Sequence, residues 1–245
     1  MKPFLLLATR GVDLVADEEY GAMLRYSGLD EAHLRRVRLE QAPLGQVDLD
    51  ELSGIILGGG PYTVSDRVKS PVQERVEADL ADLLDEVVRR DFPFLGACYG
   101  IGTLGAAVGA VVDRTYAEPV GPMQIHLTEA GRDDPLFGHL PDSFTALLGH
   151  KEAARELPAH ATVLASSATC PVQAFLVGTR VYATQFHPEL DVAGIEARID
   201  VYKHAGYFDP GEADAIRDRA RAVTIEHPQT ILHRFVERFA DRGDA

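Results

Sequence analysis

The stretch Phe92 to Gly105, FPFLGACYGIGTLG, constrains the fold of this chain more than any other. The apolar run Phe92 to Leu95 has the length of a buried parallel strand and stops at Gly96-Ala97-Cys98-Tyr99-Gly100. A GxCxG turn is the cysteine form of a nucleophile elbow, in which small residues let a strand and a helix cross closely while the central residue sits on a strained turn. A helix beginning at Tyr99 points its free N–H groups and positive end at the Cys98 sulfur, so the expected thiol pKa is low. On this reading Cys98 is a nucleophile; the alternative is a small, inert core residue. Gly100, Gly102 and Gly105 also spell GxGxxG, the dinucleotide-binding pattern. The acidic residue that pattern needs arrives too early here, at Val111-Val112-Asp113, to leave room for the intervening helix. No cofactor is therefore expected.

Composition narrows the partners. The chain carries a net charge of −14, and its Lys and Arg residues are scattered among acids, so phosphate backbones are repelled and a nucleic-acid partner is not expected. The two cysteines, Cys98 and Cys170, have no CxxC spacing, which argues against a disulfide framework or a zinc site. Phe4 to Ala8 is too short for the apolar region of a signal peptide and reads as a first strand. No run approaches the ~20 apolar residues of a membrane span, so a soluble, cytoplasmic protein is expected, with no membrane partner.

In chain order, strand Phe4 to Ala8 is followed by a helix over Glu18 to Tyr26, stopped near Gly28, and then by strands at His33 to Leu39 and Gly54 to Leu57. This alternation predicts a parallel sheet with right-handed crossovers. The third strand runs into Gly58-Gly59-Gly60-Pro61, where bare backbone can approach a ligand. Nucleophile-elbow enzymes draw one oxyanion N–H from the residue after the nucleophile and one from a loop after a neighbouring strand, here Tyr99 and Gly60. Pro71 opens a long helix over Val72 to Arg90. Residues 109–149 read as antiparallel strands and loops at the sheet edge, followed by strands at Thr162 to Ala165, Val172 to Val177 and Arg180 to Ala183. Three helices are expected after Asp191: Val192 to Ala205, Glu212 to Val223 and Gln229 to Ala240.

The second chemical site is Thr184-Gln185-Phe186-His187-Pro188-Glu189. A histidine leaving a strand, with a carboxylate two residues on, supplies a general base and the group that orients it.

Taken together, GGGP at Gly58 to Pro61, GACYG at Gly96 to Gly100 and QFHPE at Gln185 to Glu189 resemble the class I glutamine amidotransferases, in that family's order and spacing. The segments His150 to Pro158, Leu164 to Ser167 and Gln173 to Phe175 are similar to its stand-alone branch, related to the amidotransferase domain of GMP synthase. The resemblance implies an α/β fold: an open, mostly parallel, flavodoxin-like sheet flanked by helices, with an antiparallel edge extension and residues 191–245 packed onto one 1–245 domain as a helical segment.

The resemblance also implies Cys98 as nucleophile, His187 as base and acid, Glu189 as its orienting group, and oxyanion donors from the loop of Gly59 and Gly60 and from Tyr99. The implied reaction releases ammonia from glutamine through a γ-glutamyl thioester, with no metal. Two departures bear on substrate. Gly102 stands where the family has a substrate-holding glutamine, which predicts an enlarged or weak pocket. His150-Lys151-Glu152 replaces the family's HGD, so His150 and Lys151 are candidate substrate contacts. No ATP-binding or synthase region accompanies the site, so the implied partner is a separate ammonia-using synthase subunit. The alternatives are a γ-glutamyl peptidase or hydrolase and a catalytically idle binding or regulatory module. Tyr116, Cys170 and the other histidines are expected to be structural.

Overall fold

The computed structural model describes residues 1–241 and 243. Its first half alternates strand and helix: β1 (Phe4–Ala8), α1 (Asp13–Ser27), β2 (Leu34–Arg38), β3 (Gly54–Leu57), α2 (Pro71–Arg89), β4 (Phe94–Ala97) and α3 (Tyr99–Val108). The middle is mostly strands: β5 (Val111–Asp113), β6 (Glu118–Leu127), the short helix α4 (Glu129–Asp133), β7 (Ser143–His150), β8 (Ala153–Glu156), β9 (Ala161–Ser166), β10 (Ala174–Val177) and β11 (Val181–Thr184). The chain then turns helical in α5 (Val192–Tyr202), α6 (Ala213–Arg221) and α7 (Gln229–Phe239).

The main sheet has the order β2-β1-β3-β4-β11-β10-β9-β6-β7, while β5 and β8 pair separately as a small antiparallel ribbon. From β2 through β11 neighbouring strands are parallel, and from β10 outward they are antiparallel. The expected parallel sheet with an antiparallel edge extension is thus what forms.

The central strands are apolar on both faces because helices cover both. Leu6 of β1 and Ile56 of β3 face Met23 of α1 and Ile231 and Phe235 of α7. Their neighbours Leu5, Leu7, Ile55 and Leu57 face Val76, Leu80 and Leu84 of α2 and Leu104 of α3. This period-two division is what fully buried parallel strands require. Each such side chain contributes roughly 1.5–3 kcal/mol on burial. α2 starts where its sequence directs, with Ser70 accepting from Gln73 N and Pro71 in the first turn.

Element boundaries moved in places. α1 begins at Asp13 rather than Glu18, because its first turn is exposed and Val12 offers no side-chain cap to mark the start. β4 runs from Phe94 to Ala97 rather than from Phe92 to Leu95, since Gly96 and Ala97 still pair with Ala183 and Thr184 of β11. Among the described residues no helix is long and apolar enough to cross a membrane.

Candidate active site

Parallel strands direct their C-terminal ends to one edge of the sheet, and β1, β3, β4 and β11 deliver Arg10, the glycine loop, Cys98 and His187 there. Cys98 lies between β4 and α3 with φ 53° and ψ −80°, one of two non-glycine residues with positive φ among the described residues. Such a conformation is strained and persists only where the surroundings fix it. Here Cys98 N donates to Thr184 O at 2.7 Å, tying the turn to β11. A Cβ on Gly96 would lie 2.7 Å from Gly100 Cα, so the strand and helix cross this closely only without side chains. The elbow inferred from the GxCxG spacing is present.

The expected low thiol pKa is not. Burial, the strongest influence, pushes the Cys98 thiol up to about 12; Arg10 and Arg198 pull it down, while Glu189 and Glu152 push it further up. A desolvated sulfur resists charge more strongly than a single short helix end favours it. The resting group is therefore a thiol, and its proton must leave during the reaction.

His187 follows β11 and donates through Nδ1 to Glu189 Oε1 at 2.9 Å, which leaves Nε2 as the free basic nitrogen. His187 and Cys98 line the same cavity, and no hydrogen bond joins them among the described residues. The side chain at the sulfur is Gln185, whose Nε2 is 4.0 Å away. Catalytic contacts of this kind tighten on substrate binding.

Glu189 is fully buried, and its ionised form is stabilised from several sides. Burial alone would raise its pKa, but His187, Arg198 and Arg10 outweigh it and hold the carboxyl well below the usual range. Arg198 of α5 reaches Glu189 Oε1 at 2.9 Å and His187 Nδ1 at 3.1 Å. On its other side stands Glu19 of α1 at 3.6 Å, itself bound to Arg10 Nε at 2.7 Å. Arg10, Glu19, Arg198 and Glu189 thus form a buried run of alternating charge that ends on the imidazole. Burial first, and then the two arginines, lower the His187 pKa, with Glu189 opposing.

Pattern reading did not find Arg10, Glu19, Arg198 or Gln185. Arg10 follows a strand end, a usable positional signal, but Arg198 and Glu19 read as ordinary helix charges until the helices are docked.

The glycine loop fits against this cluster. A Cβ on Gly59 would sit 2.4 Å from His187 Cε1 and 2.9 Å from Arg10 Nη2, while one on Gly60 would sit 2.0 Å from Thr9 Oγ1. Gly60 borders Cys98, and its N–H has no acceptor among the described residues. Tyr99 opens α3, so its N–H belongs to the first turn, where helices lack internal acceptors. The two N–H groups expected at the sulfur are thus available.

The expected substrate contacts are rearranged. Gly102 does not enlarge a pocket, because a Cβ there would meet Glu152 Oε1 at 2.6 Å and Val64 Cγ2 at 3.0 Å. The Glu152 carboxylate fills that space and accepts from Val64 N and Ser65 N, both at 2.7 Å. His150 borders the cavity, but both its ring nitrogens are engaged, with Glu152 O and Glu118 Oε2, each at 2.8 Å. Lys151 donates to Ala205 O at 2.8 Å and lies 4.2 Å from the Tyr207 ring centroid. It holds down the loop between α5 and α6.

A second Cys–His–Glu group lies close by: the ligand atoms of Cys170, His150 and Glu118 fall within 4.8 Å of one another. Three such residues could in principle hold a metal ion. Here Glu118 accepts from Ser167, Thr169 and Gln173 as well as pairing with His150, and Cys170 Sγ donates to Val172 O at 3.4 Å. Burial pushes this thiol up to about 12 as well. With both imidazole nitrogens occupied, His150 has none to offer Cys170 as a base.

Comparison with known proteins agrees with the motifs. A sequence model of the family described as glutamine amidotransferase class-I matches residues 23–197. The chain is 31% identical over 145 residues to the glutamine-hydrolyzing subunit of GMP synthase from Thermoplasma acidophilum, covering 59% of this chain and 66% of that one. It is 27% identical over 159 residues to GMP synthase [glutamine-hydrolyzing] of Petrotoga mobilis, covering 64% of this chain but 28% of that longer one. The chain thus spans less than two thirds of the length of either relative. A crystal structure of a glutamine amidotransferase from Thermotoga maritima superposes with a TM-score of 0.75 at 20% identity, covering 98% of both chains. At that identity the likeness bears on the fold.

Proposed function

Because the chain belongs to the class I glutamine amidotransferase family, we propose that it hydrolyses a γ-glutamyl side-chain amide through a thioester on Cys98, with glutamine as the simplest substrate. The observation that carries this reading is the strained Cys98 elbow sharing one cavity with the His187–Glu189 pair. Cys98 rather than Cys170 is the nucleophile, because His187 keeps a nitrogen free and His150 does not.

The chemistry follows from the protonation states. Both the thiol and the imidazole are neutral at rest, so His187 Nε2 takes the sulfur's proton as the sulfur attacks the amide carbon. Negative charge builds on the carbonyl oxygen, where the N–H groups of Tyr99 and Gly60 receive it. The C–N bond breaks as His187 returns the proton to the departing nitrogen. His187 then activates water, which cleaves the thioester and restores the thiol. Glu189 stabilises the imidazolium formed in between, and Arg198 stabilises Glu189. No step calls for a cofactor.

The Thermoplasma relative, named as one subunit of GMP synthase, suggests the further reading that ammonia passes to a separate synthase polypeptide. That reading also fits a soluble, cytoplasmic protein of one domain. The test is release of ammonia and glutamate from glutamine by wild type and by Cys98→Ala. Wild type should turn over and accumulate a γ-glutamyl adduct on Cys98 after rapid acid quench, seen by peptide mass spectrometry. Equal non-zero rates in the two proteins would remove Cys98 from the reaction.

A further inference from the structure

Two cavities meet at the Cys98 sulfur, and they share different catalytic groups. The larger, about 60 Å³, contains Cys98, Gly60 and His187, and its remaining wall is mainly apolar: Leu148, Leu190, Ile195, Ile199, Tyr202 and Phe208. Arg10 and Arg198 also border it, but both are spent on buried carboxylates. The smaller, about 20 Å³, contains Cys98, Gly60, Tyr99, Gln185, Lys151 and Glu152, but not His187. Tyr207 borders both.

Reaction geometry says which part of an amide belongs in which cavity. The histidine must protonate the departing nitrogen, so the amine half lies on the His187 side of the sulfur and the acyl half on the other. The acyl half of a γ-glutamyl compound carries an ammonium and a carboxylate, and the cavity without His187 is the polar one. The amine half meets hydrocarbon. Ammonia alone gains nothing from such a wall, whereas an alkyl group is stabilised there by leaving water.

We propose that the apolar cavity is an amine subsite, and that the protein cleaves γ-glutamyl amides bearing a short apolar N-substituent in preference to glutamine. The proposal rests on the Cys98 thioester reading above. A water needs ~10–15 Å³ of such space, so about 60 Å³ corresponds to roughly four non-hydrogen atoms, the size of a butyl chain. The step is balanced: the γ-glutamyl C–N bond breaks, His187 passes the thiol proton to the nitrogen, a primary alkylamine leaves, and water converts the thioester to glutamate.

The experiment compares kcat/KM of the full chain for L-glutamine, γ-glutamyl-n-butylamide and γ-glutamylglycine. The butylamide should exceed glutamine by on the order of 100-fold, since each well-packed methylene discriminates by ~10-fold or more. Ile199→Phe, which fills the cavity, should cut the butylamide-to-glutamine ratio at least ~10-fold. Phe208→Ala, on a half-buried loop position, enlarges the cavity and should move the preference from n-butylamide toward n-hexylamide. A kcat/KM for glutamine or γ-glutamylglycine equal to or above that for the butylamide would overturn the amine subsite and leave the thiol chemistry standing. No turnover of any amide and no adduct on Cys98 would overturn both.

Discussion

Arg198 and His187 share one carboxylate oxygen: Arg198 Nη2 and His187 Nδ1 each stand 2.9 Å from Glu189 Oε1. Arg198 Nη1 is also 3.1 Å from His187 Nδ1, and that nitrogen can either accept from the guanidinium or donate to the carboxylate, not both. Only the second arrangement leaves Nε2 unprotonated. The groups facing the imidazole are Glu189, Arg198, Arg10 and, behind them, Glu19 and Glu18 of α1.

This arrangement predicts a displaced pH profile. The His187 pKa lies below its ordinary 6.5 through burial and two cations, while the Cys98 thiol is held up to about 12. The reactive pair of neutral imidazole and protonated thiol then persists between those limits. kcat/KM should fall only on acidification below pH 6.5 and should not fall near pH 9, measured from about pH 5 to 9. Arg198→Gln removes a cation, favours imidazolium and should move the acidic limb upward, whereas Arg198→Lys should leave it nearer the wild-type position. An acidic limb unchanged by Arg198→Gln would show that the arginine does not tune the imidazole.

Gly59→Ala should act on catalysis through His187. The new methyl would overlap His187 Cε1 and Arg10 Nη2, and the β3 backbone leading into the loop is fully buried and cannot retreat. A displaced base should reduce kcat by about 100-fold. KM should change less than kcat in steady-state assays of the variant.

Gly102→Gln should destabilise rather than restore substrate binding. Its side chain would collide with the Glu152 carboxylate and Val64, and overpacking of this kind costs about 1–3 kcal/mol. Glu152→Ala in the same chain makes room, so the double variant should recover part of the loss. Denaturant unfolding of the single and double variants measures the coupling. Additive losses would mean that the two positions do not share the space.

Lys151→Ala separates two roles for that residue. Its ammonium is spent on Ala205 O and the Tyr207 ring, so its loss should free the loop between α5 and α6 and speed limited proteolysis there. KM for a γ-glutamyl substrate should stay the same or fall, because Tyr207 is then easier to displace. A KM increase of ~10-fold or more would instead assign Lys151 to the substrate carboxylate.

The sequence by itself determined the parallel core and the two chemical motifs. Continuous apolar runs such as Phe4 to Ala8 and Gly54 to Leu57 specify buried parallel strands, and glycines beside Cys98 specify a close strand-to-helix crossing. These signals are local, written within a few residues of the features they produce. Only the tertiary structure decided the environment of those motifs. Arg198 and Glu19 look like any charges on helices until α5 and α1 dock against the strand ends. Glu152 fills the space beside Gly102 from a strand connection 50 residues away in the chain. The Cys98 pKa turned on the same distinction, since a helix end is legible in sequence but desolvation is set by everything packed around the sulfur.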